Sequence, residues 1–355
     1  MEKEKIRVAI VGVGNCASSL VQGIEYYSEN PNAGGLMNAD IGGYKVSDIE
    51  IVSAFDVDSR KVGLDIADAI FAKPNCTKKF SEVAKKNVPV NKGHVLDGVA
   101  PHMKDVFLVD ENYQEADVVE VLRESKAEIL ICYLPVGSAE ASRFYAQEAL
   151  DAGVGFINAI PEFICSDDTW IQKFKEKGLP CAGDDIKSQV GATIIHRILA
   201  RLIQDRGQLI SNSYQLNIGG NTDFQNMLDH NRLTSKRISK TQAVTSILNK
   251  GKSIPMRIGP SDFVEHLNDN KICYINIKGE QFGGVGFELD VKLSVEDSPN
   301  SAGVMVDVIR CMKVALNRGL SGNLEAISAY SFKSPKVQYT DDVAKELVKN
   351  FIQEK

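Results

Sequence analysis

Between Asn217 and Lys240 the chain reads N-I-G-G-N-T-D-F-Q-N-M-L-D-H-N-R-L-T-S-K-R-I-S-K, which sets Asn221 and Asp223 ahead of two lysines, Lys236 and Lys240, spaced four apart. If the residues from Ser235 onward are helical, Lys236, Lys240, Val244 and Ile247 fall on one stripe, because residues about 3.6 apart share a helix face. The lysines then prolong an apolar face. Like charges at that spacing cost a helix roughly a few tenths of a kcal/mol, so two ammonium groups turned inward require an anion or carboxylates beside them. A phosphorylated ligand meets that requirement. The alternative is a solvated basic turn on a slightly rotated helix, since most lysines lie on surfaces.

A second group of residues points to a nucleotide. Gly12-Val13-Gly14-Asn15-Cys16-Ala17 follows an apolar run and matches G-x-G-x-x-A. In a strand-turn-helix setting the glycines allow a tight turn and close approach of a pyrophosphate to the helix N-terminus. Asp56, closing A-F-D-V-D, is the acidic residue suited to a ribose diol, although it lies farther along than the usual spacing of about 20 residues. An insertion over 30–46 accounts for the gap. The carboxylate favours NAD over NADP, with Arg60 as the counter-indication. Leu134 to Ser138 and Asn158 follow two further apolar runs, either as crevice residues or as loop punctuation. In Gly183-Asp184-Asp185-Ile186-Lys187-Ser188-Gln189, Asp185 could pair with a lysine or approach a nicotinamide, and Ser188 could open an anion-binding helix N-terminus. Equally, Asp and Ser there could simply cap the helix.

The elements that must carry these residues alternate. Apolar runs at 6–11, 51–55, 129–133 and 154–158, and one ending near Ala182, are separated by helical patterns starting at Asn15, Ser59, Ala139 and Ser166. That rhythm predicts a Rossmann-type, doubly wound parallel α/β sheet over 1–200, ending in a helix over 190–206. Stretches 30–46 and 73–110 read as insertions or long loops. Strand patterns at 214–218, 272–277 and 287–295 then predict a second α+β domain over 201–299 with an open, partly exposed sheet, a plausible subunit interface. From Asn300 a helix returns towards the first domain, making 300–355 its last part. It closes with an amphipathic helix over 341–355 carrying Val343, Leu347, Val348 and Phe351 on one side.

With 355 residues, 43% apolar content and a net charge of −6, the composition is that of a soluble protein. It offers no basic tract for nucleic acid and no apolar run near the ~20 residues that span a membrane. The N-terminus runs straight into a strand pattern, so a cytoplasmic enzyme is expected. Seven cysteines lack any C-x-x-C pair, and the five histidines are scattered; neither set predicts a metal centre or a disulfide framework.

Taken in order, V-G-V-G-N-C-A-S-S-L, A-F-D-V-D-S-R-K-V-G, C-Y-L-P-V-G-S, F-Y-A-Q, G-D-D-I-K-S-Q-V-G-A-T, N-I-G-G-N-T-D-F, L-T-S-K-R-I-S-K, N-D-N-K, D-S-P-N-S-A-G and Y-S-F-K-S-P resemble the myo-inositol-1-phosphate (inositol-3-phosphate) synthase family over nearly the whole chain. The length resembles the shorter prokaryotic members; longer members carry S-G-Q-T where this chain has S-Q-V-G-A-T. The resemblance implies conversion of D-glucose 6-phosphate to 1L-myo-inositol 1-phosphate, with NAD consumed and regenerated, in inositol and phospholipid biosynthesis. C5 is oxidised, C6 enolises and attacks the C1 aldehyde, and C5 is reduced again. It also implies a homotetramer and leaves a divalent or monovalent cation open.

By position the resemblance makes Lys236, Lys240, Lys271 and Lys333 the cationic donors to the C5 oxygen, the C1 oxygen and the phosphate, with their individual roles interchangeable. Asn221 and Asp223 orient Lys236 and contact the cofactor, as Lys236 itself does, while Asp185 and Asp297 flank the nicotinamide. Gly12, Gly14, Asn15, Cys16, Ala17, Asp56 and Ser188 belong to the cofactor set, with Asp65 and Tyr145 as further contacts. The same residues could serve a net NAD-dependent sugar-phosphate dehydrogenase, or an NAD-binding protein without turnover.

Overall fold

A computed structural model describes residues 4–229 and 254–354. Lys236, Lys240 and His230 lie outside the described residues. Six strands, β1 (Ile6–Val11), β2 (Ile49–Asp56), β3 (Val90–Lys92), β4 (Ile129–Cys132), β5 (Gly155–Asn158) and β6 (Pro180–Ala182), pair in parallel in the order 3-2-1-4-5-6. This is the doubly wound nucleotide-binding order, in which the strand order reverses between β1 and β4. β1, β4 and β5 are almost continuously buried, as strands covered on both faces must be.

The crossovers use α1 (Asn15–Glu29), the short α2 (Ile66–Ala69), α3 (Val118–Glu124), α4 (Ala139–Ala152) and α5 (Asp168–Glu176). α6 (Ala192–Asp205) leads out of the sheet into β7 (Leu209–Gly219) and α7 (Thr222–Asn226). Two expectations are corrected. The stretch 73–110 is not wholly loop, because it supplies β3; and the helix expected from Ser59 is only the four residues of α2, the preceding turn being held by Lys61 and Val62 N–H donating to Asp58 O.

A second, four-stranded sheet has the order β10-β9-β7-β8, with β8 (Met256–Phe263), β9 (Asn270–Glu280) and β10 (Gly286–Glu296). β9 pairs antiparallel with β7 and β10, and β8 runs parallel to β7. Cys273, Ile275 and Ile277 on β9, with Phe287, Leu289, Val291 and Leu293 on β10, cluster with α6 residues Ala192, Ile195, Leu199 and Ile203. The opposite face presents Tyr214, Tyr274, Lys278, Glu288 and Lys292 to solvent.

The chain then returns. α8 (Asp297–Asn317), which begins three residues before the helix expected at Asn300, buries Val304, Met305, Val308, Ile309 and Met312 in the same core as α1 and the first sheet. β11 (Gly322–Asn323) adds a seventh strand beside β6, α9 (Glu325–Ser331) follows, and α10 (Asp341–Gln353) closes the chain. On α10 the buried residues are Ala344 and Val348, with Leu347 and Phe351 partly covered; Val343, expected on that stripe, is exposed. Among the described residues no helix is long and apolar enough to cross a membrane.

Candidate active site

The carboxyl ends of β1, β4, β5 and β6 and one end of the four-stranded sheet meet at a cleft of about 1740 Å³, its open mouth included. Gly12, Gly14, Asn15, Cys16, Asp56, Tyr145, Asp185, Ser188, Asn221, Asp223, Lys271, Asp297 and Lys333 all line it. Residues separated by up to 321 positions in the chain are thus brought to one place.

At the glycine turn, Gly12 has φ +91° and its N–H donates to Phe55 O at 2.8 Å; a Cβ there would stand 2.7 Å from Tyr133 O. Gly14 is needed for a different reason. A Cβ on it would meet no protein atom within 4 Å, so this backbone faces open cleft, and it caps α1 with no side chain to occupy the helix's first N–H groups. Such an end accepts an anion. Asp56 takes Val13 N–H on Oδ2 (2.7 Å) and Asp58 N–H on Oδ1 (2.9 Å), so the carboxylate is fixed at the turn while each oxygen retains acceptor capacity for a diol. Arg60 is turned away, its guanidinium bonded to Asp58 and Val106 O. Asn15 reaches across the turn to accept Cys76 N–H (2.8 Å) and Thr77 N–H (3.1 Å).

Three expected contacts sit differently. Ala17 is fully buried under the turn and supports it from behind. Asp65 caps α2, accepting Ala67, Lys86 and Val88 N–H, and these bonds hold its carboxyl below the ordinary range against burial; it is not among the cleft residues. Asn158 is buried, donating to Glu162 O and to Asp184 Oδ1 at 2.8 Å, so it braces the strand end instead of facing the crevice.

Two lysine–carboxylate pairs line the cleft. The first follows from hairpin register. Lys271 stands opposite Val295 on the β9–β10 ladder, so Asp297, just beyond β10, lies next to it, and the two side chains form an ion pair. Burial works to lower the Lys271 value, but Asp297 and Asp223 prevail and raise it, so the ammonium form is held. The second pair, Lys333 Nζ with Asp185 Oδ1 at 2.7 Å, joins the turn after β6 to the segment after α9. Asp185 has φ +64°, a left-handed conformation uncommon outside glycine, fixed by its N–H donating to Ile160 O (3.0 Å) and its carbonyl accepting Lys333 N–H (2.8 Å). Strained backbone of this kind concentrates at functional sites.

Asn221 caps α7 through Asp223 and Phe224 N–H and donates to Asp269 Oδ1 at 3.0 Å. Asp269, unnoticed within N-D-N-K, also takes the N–H and hydroxyl of Ser298; burial, with Asp297 nearby, pushes its carboxyl up to about 6. Burial and the charges of Asp269 and Asp297 push the Cys16 thiol up to about 12. Ser188 lies against Gly191, the side-chain-free cap of α6, and the cleft also takes in Ala192, Thr193 and Ile194. The free helix end is therefore at Ala192, not around Ser188 as the sequence led us to expect.

Lys61, Asn75, His94, Gln215 and Asn217 line the cleft without having been singled out. Lys61 is 1% exposed and bonds Val13 O (2.8 Å) and Asn75 Oδ1 (3.0 Å), 3.8 Å from Asp56 Oδ2. Its position five residues after Asp56 was the available signal. Tyr145 accepts His94 N–H at 3.0 Å, and burial raises its phenol far above the ordinary value.

The sequence profile of myo-inositol-1-phosphate synthase matches residues 191–298. Inositol-3-phosphate synthase of Mycolicibacterium smegmatis is 52% identical, with 98% of both chains covered. That of Corynebacterium glutamicum is 51% identical over 99% of both. Among solved structures, Ari2 superposes with a TM-score of 0.80 at 34% identity, covering 98% of each chain. A myo-inositol-1-phosphate synthase-related protein from Thermotoga maritima superposes with a TM-score of 0.81 at 23% identity, covering 99% of each chain, which bears on the fold alone. On these near full-length identities the chain belongs to the inositol-3-phosphate synthase family.

Proposed function

We propose that this protein converts D-glucose 6-phosphate to 1L-myo-inositol 1-phosphate in a redox-neutral cycle using NAD, as an intramolecular isomerising lyase. The observation that carries the reading is the meeting, in one cleft, of the glycine turn with Asp56 and the two lysine–carboxylate pairs Lys271–Asp297 and Lys333–Asp185. The residues fit the cofactor. Gly14 leaves space for a pyrophosphate, Asp56 offers its carboxylate to a ribose diol, and the pairing of Arg60 with Asp58 removes the cation that a 2′-phosphate would need. Bound NAD supplies the acceptance and return of one hydride at C5.

The chain's own groups handle protons and charge. Once C5 is a ketone, the C6 proton is acidified, and the C5 oxygen carries the enolate charge that a lysine ammonium stabilises. A second ammonium stabilises the C1 oxygen as C6 attacks the aldehyde. Lys333 and Lys271 fit these duties, each with a carboxylate to set its orientation and protonation, and Lys236 and Lys240 share them. Asn221 and Asp223 orient Lys236 and contact the cofactor, and Ser188 with the α6 terminus receives the phosphate. Tyr145, Asn15 and Cys16 complete the nucleotide wall. We also propose a cytoplasmic homotetramer joined through the exposed sheet face, with the division at 1–200, 201–299 and 300–355.

Incubating the protein with glucose 6-phosphate and NAD, with and without a chelator, tests this. Inositol phosphate is expected with no steady rise in NADH. Sustained NADH production would instead identify a net dehydrogenase, and NAD binding without any product would identify a non-catalytic binder. Dependence on the chelator would assign a cation.

A further inference from the structure

The segment Asp184–Ser188 lies antiparallel to Ser331–Ser334, bridged at Ile186 and Phe332: Lys187 N–H donates to Ser331 O (2.8 Å), Lys333 N–H to Asp185 O (2.8 Å) and Ser334 N–H to Asp184 O (3.0 Å). Asp185 and Lys333 are therefore mounted on one short ladder, outside both sheets, whose strands come from turns 148 residues apart. A ladder this short has little stability of its own. Its support lies beneath it. The side chain of Lys187 is 2% exposed and donates to Ala329 O (2.9 Å) and Tyr330 O (3.1 Å), the last-turn carbonyls of α9, from which Lys333 emerges. Cations at that end of a helix satisfy its orphan carbonyls. Behind it, Asp341 at the start of α10 stands 3.7 Å from Lys187 Nζ and accepts Arg197 Nε at 2.8 Å, while Arg197 also donates to Tyr339 O. Arg197 belongs to α6, whose first turn lines the cleft.

We propose that Lys187 is a positioning residue for the reaction: with Asp341 and Arg197 it ties α6, α9 and α10 together beneath the Asp185–Lys333 ladder and so fixes where the Lys333 ammonium stands. Lys187 touches no cleft atom itself. Without its amino group the buried Ala329 carbonyl and the partly buried Tyr330 carbonyl lose their donor, the end of α9 is released, and the Lys333–Asp185 pair shifts relative to the cofactor turn, which rests on β1 and does not depend on the clamp.

The proposal uses the reading of the cleft given above for its choice of assay. Full-length Lys187→Met and Asp341→Asn are compared with the unaltered protein. Because misplacing a reacting group by about 1 Å costs on the order of 100-fold, Lys187→Met is expected to lose about 30- to 100-fold in kcat. Its KM for glucose 6-phosphate and its Kd for NAD should stay within about threefold. Asp341→Asn is expected to follow with a fall of about fivefold or more, since Lys187 and Arg197 then face each other without a carboxylate. A kcat within about twofold of the unaltered protein in both variants, whatever their Tm, would overturn it. If Lys187→Met does not fold, Asp341→Asn alone decides by the same limit. If the unaltered protein forms no inositol phosphate, the functional reading fails separately, and hydrogen exchange then decides the positioning role. Faster exchange of the Lys187 and Lys333 amides in Asp341→Asn supports the clamp; unchanged exchange sinks it.

Discussion

Lys271 illustrates how much a single side chain's worth depends on register. On β9 it would be one more half-buried lysine, but the hairpin places Asp297 beside it and the β7 neighbour of the same strand leads directly to Asn221 and Asp223. Removing a preorganised donor to a developing oxyanion costs about 10²–10³ in rate. Lys271→Ala is therefore expected to lose that much kcat with NAD affinity nearly unchanged, measured by inositol phosphate formation and by titration with NAD. The same result is expected for Lys236→Ala, and near-normal turnover in either variant would remove that lysine from the chemistry. Lys271, Lys333 and Asp185 could be named from the order of motifs, but nothing in single-residue chemistry distinguished Lys187 from a solvated lysine. Its burial depends on α9 and α10, elements well over a hundred residues away.

Buried titratable groups near the sheets give a pH prediction with a definite sign. His196 is held between Ser213 Oγ (2.8 Å) and Gln215 Oε1 (3.2 Å), and burial lowers its value from 6.5 to about 4. The unfolded chain takes up this proton first, so the His196 contribution to stability is complete above about pH 6.5 and is lost as pH falls towards 4. Asp184 and Asp269, which burial raises to about 6, act the opposite way: the folded state protonates first, and the cost of their buried charge is relieved below that pH. His196→Gln should accordingly flatten the acid limb of stability between about pH 6.5 and 4. Urea unfolding at pH 7, 5.5 and 4.5 checks this; parallel pH curves for variant and parent would refute it.

Among the elements, the strands that sequence patterning missed are edge strands. β3 has three residues in a run, V-P-V-N-K, too polar and short to read as apolar, and β8 carries Gly259 and Pro260 where β7 shifts register by one residue. Proline is tolerated only where no neighbour requires its missing N–H, as at a sheet edge. The central strands β1, β4 and β5 were legible because burial on both faces demands uninterrupted apolar residues. The turn after β1 was legible because backbone geometry demands glycine. Gly12→Ala combines a disfavoured φ of +91° with a Cβ 2.7 Å from Tyr133 O. It is expected to cost about 1–3 kcal/mol of stability and to weaken NAD binding about tenfold or more. Calorimetry and equilibrium dialysis measure the two effects, and an unchanged Kd would separate this glycine from the cofactor.

At the scale of the molecule, neither sheet alone holds the chemistry proposed here. The parallel sheet supplies the glycine turn, Asp56 and Asp185; the four-stranded sheet supplies Asn221, Lys271 and, at its exit, Asp297; the returning segment supplies Lys333. The alternation of strands and helices was enough to foresee the first contribution and the existence of the second. It could not foresee that β11 would join the first sheet or that Asp341 of α10 would stand beside Lys187 and Arg197, since these contacts join residues more than 140 positions apart. The proposed tetramer makes its own prediction: light scattering should give the mass of four chains, and Tyr274→Glu together with Tyr214→Glu, on the exposed sheet face, should lower it. A parent protein of monomer mass would exclude that arrangement.

The late return of the chain also sets a timetable for synthesis. The glycine turn, Asp56 and the first six strands are translated well before Lys333, and domains tend to fold from the N-terminus as they emerge. A nascent chain thus presents the glycine turn and Asp56 while it still lacks α8, which shares their core, the second partner of the Asp185 pair and the Asp341 beside Lys187. Truncated products that stop short of α8 would carry the glycine turn and Asp56 without the helix that shares their core. Competence arrives only with the final segment of the polypeptide.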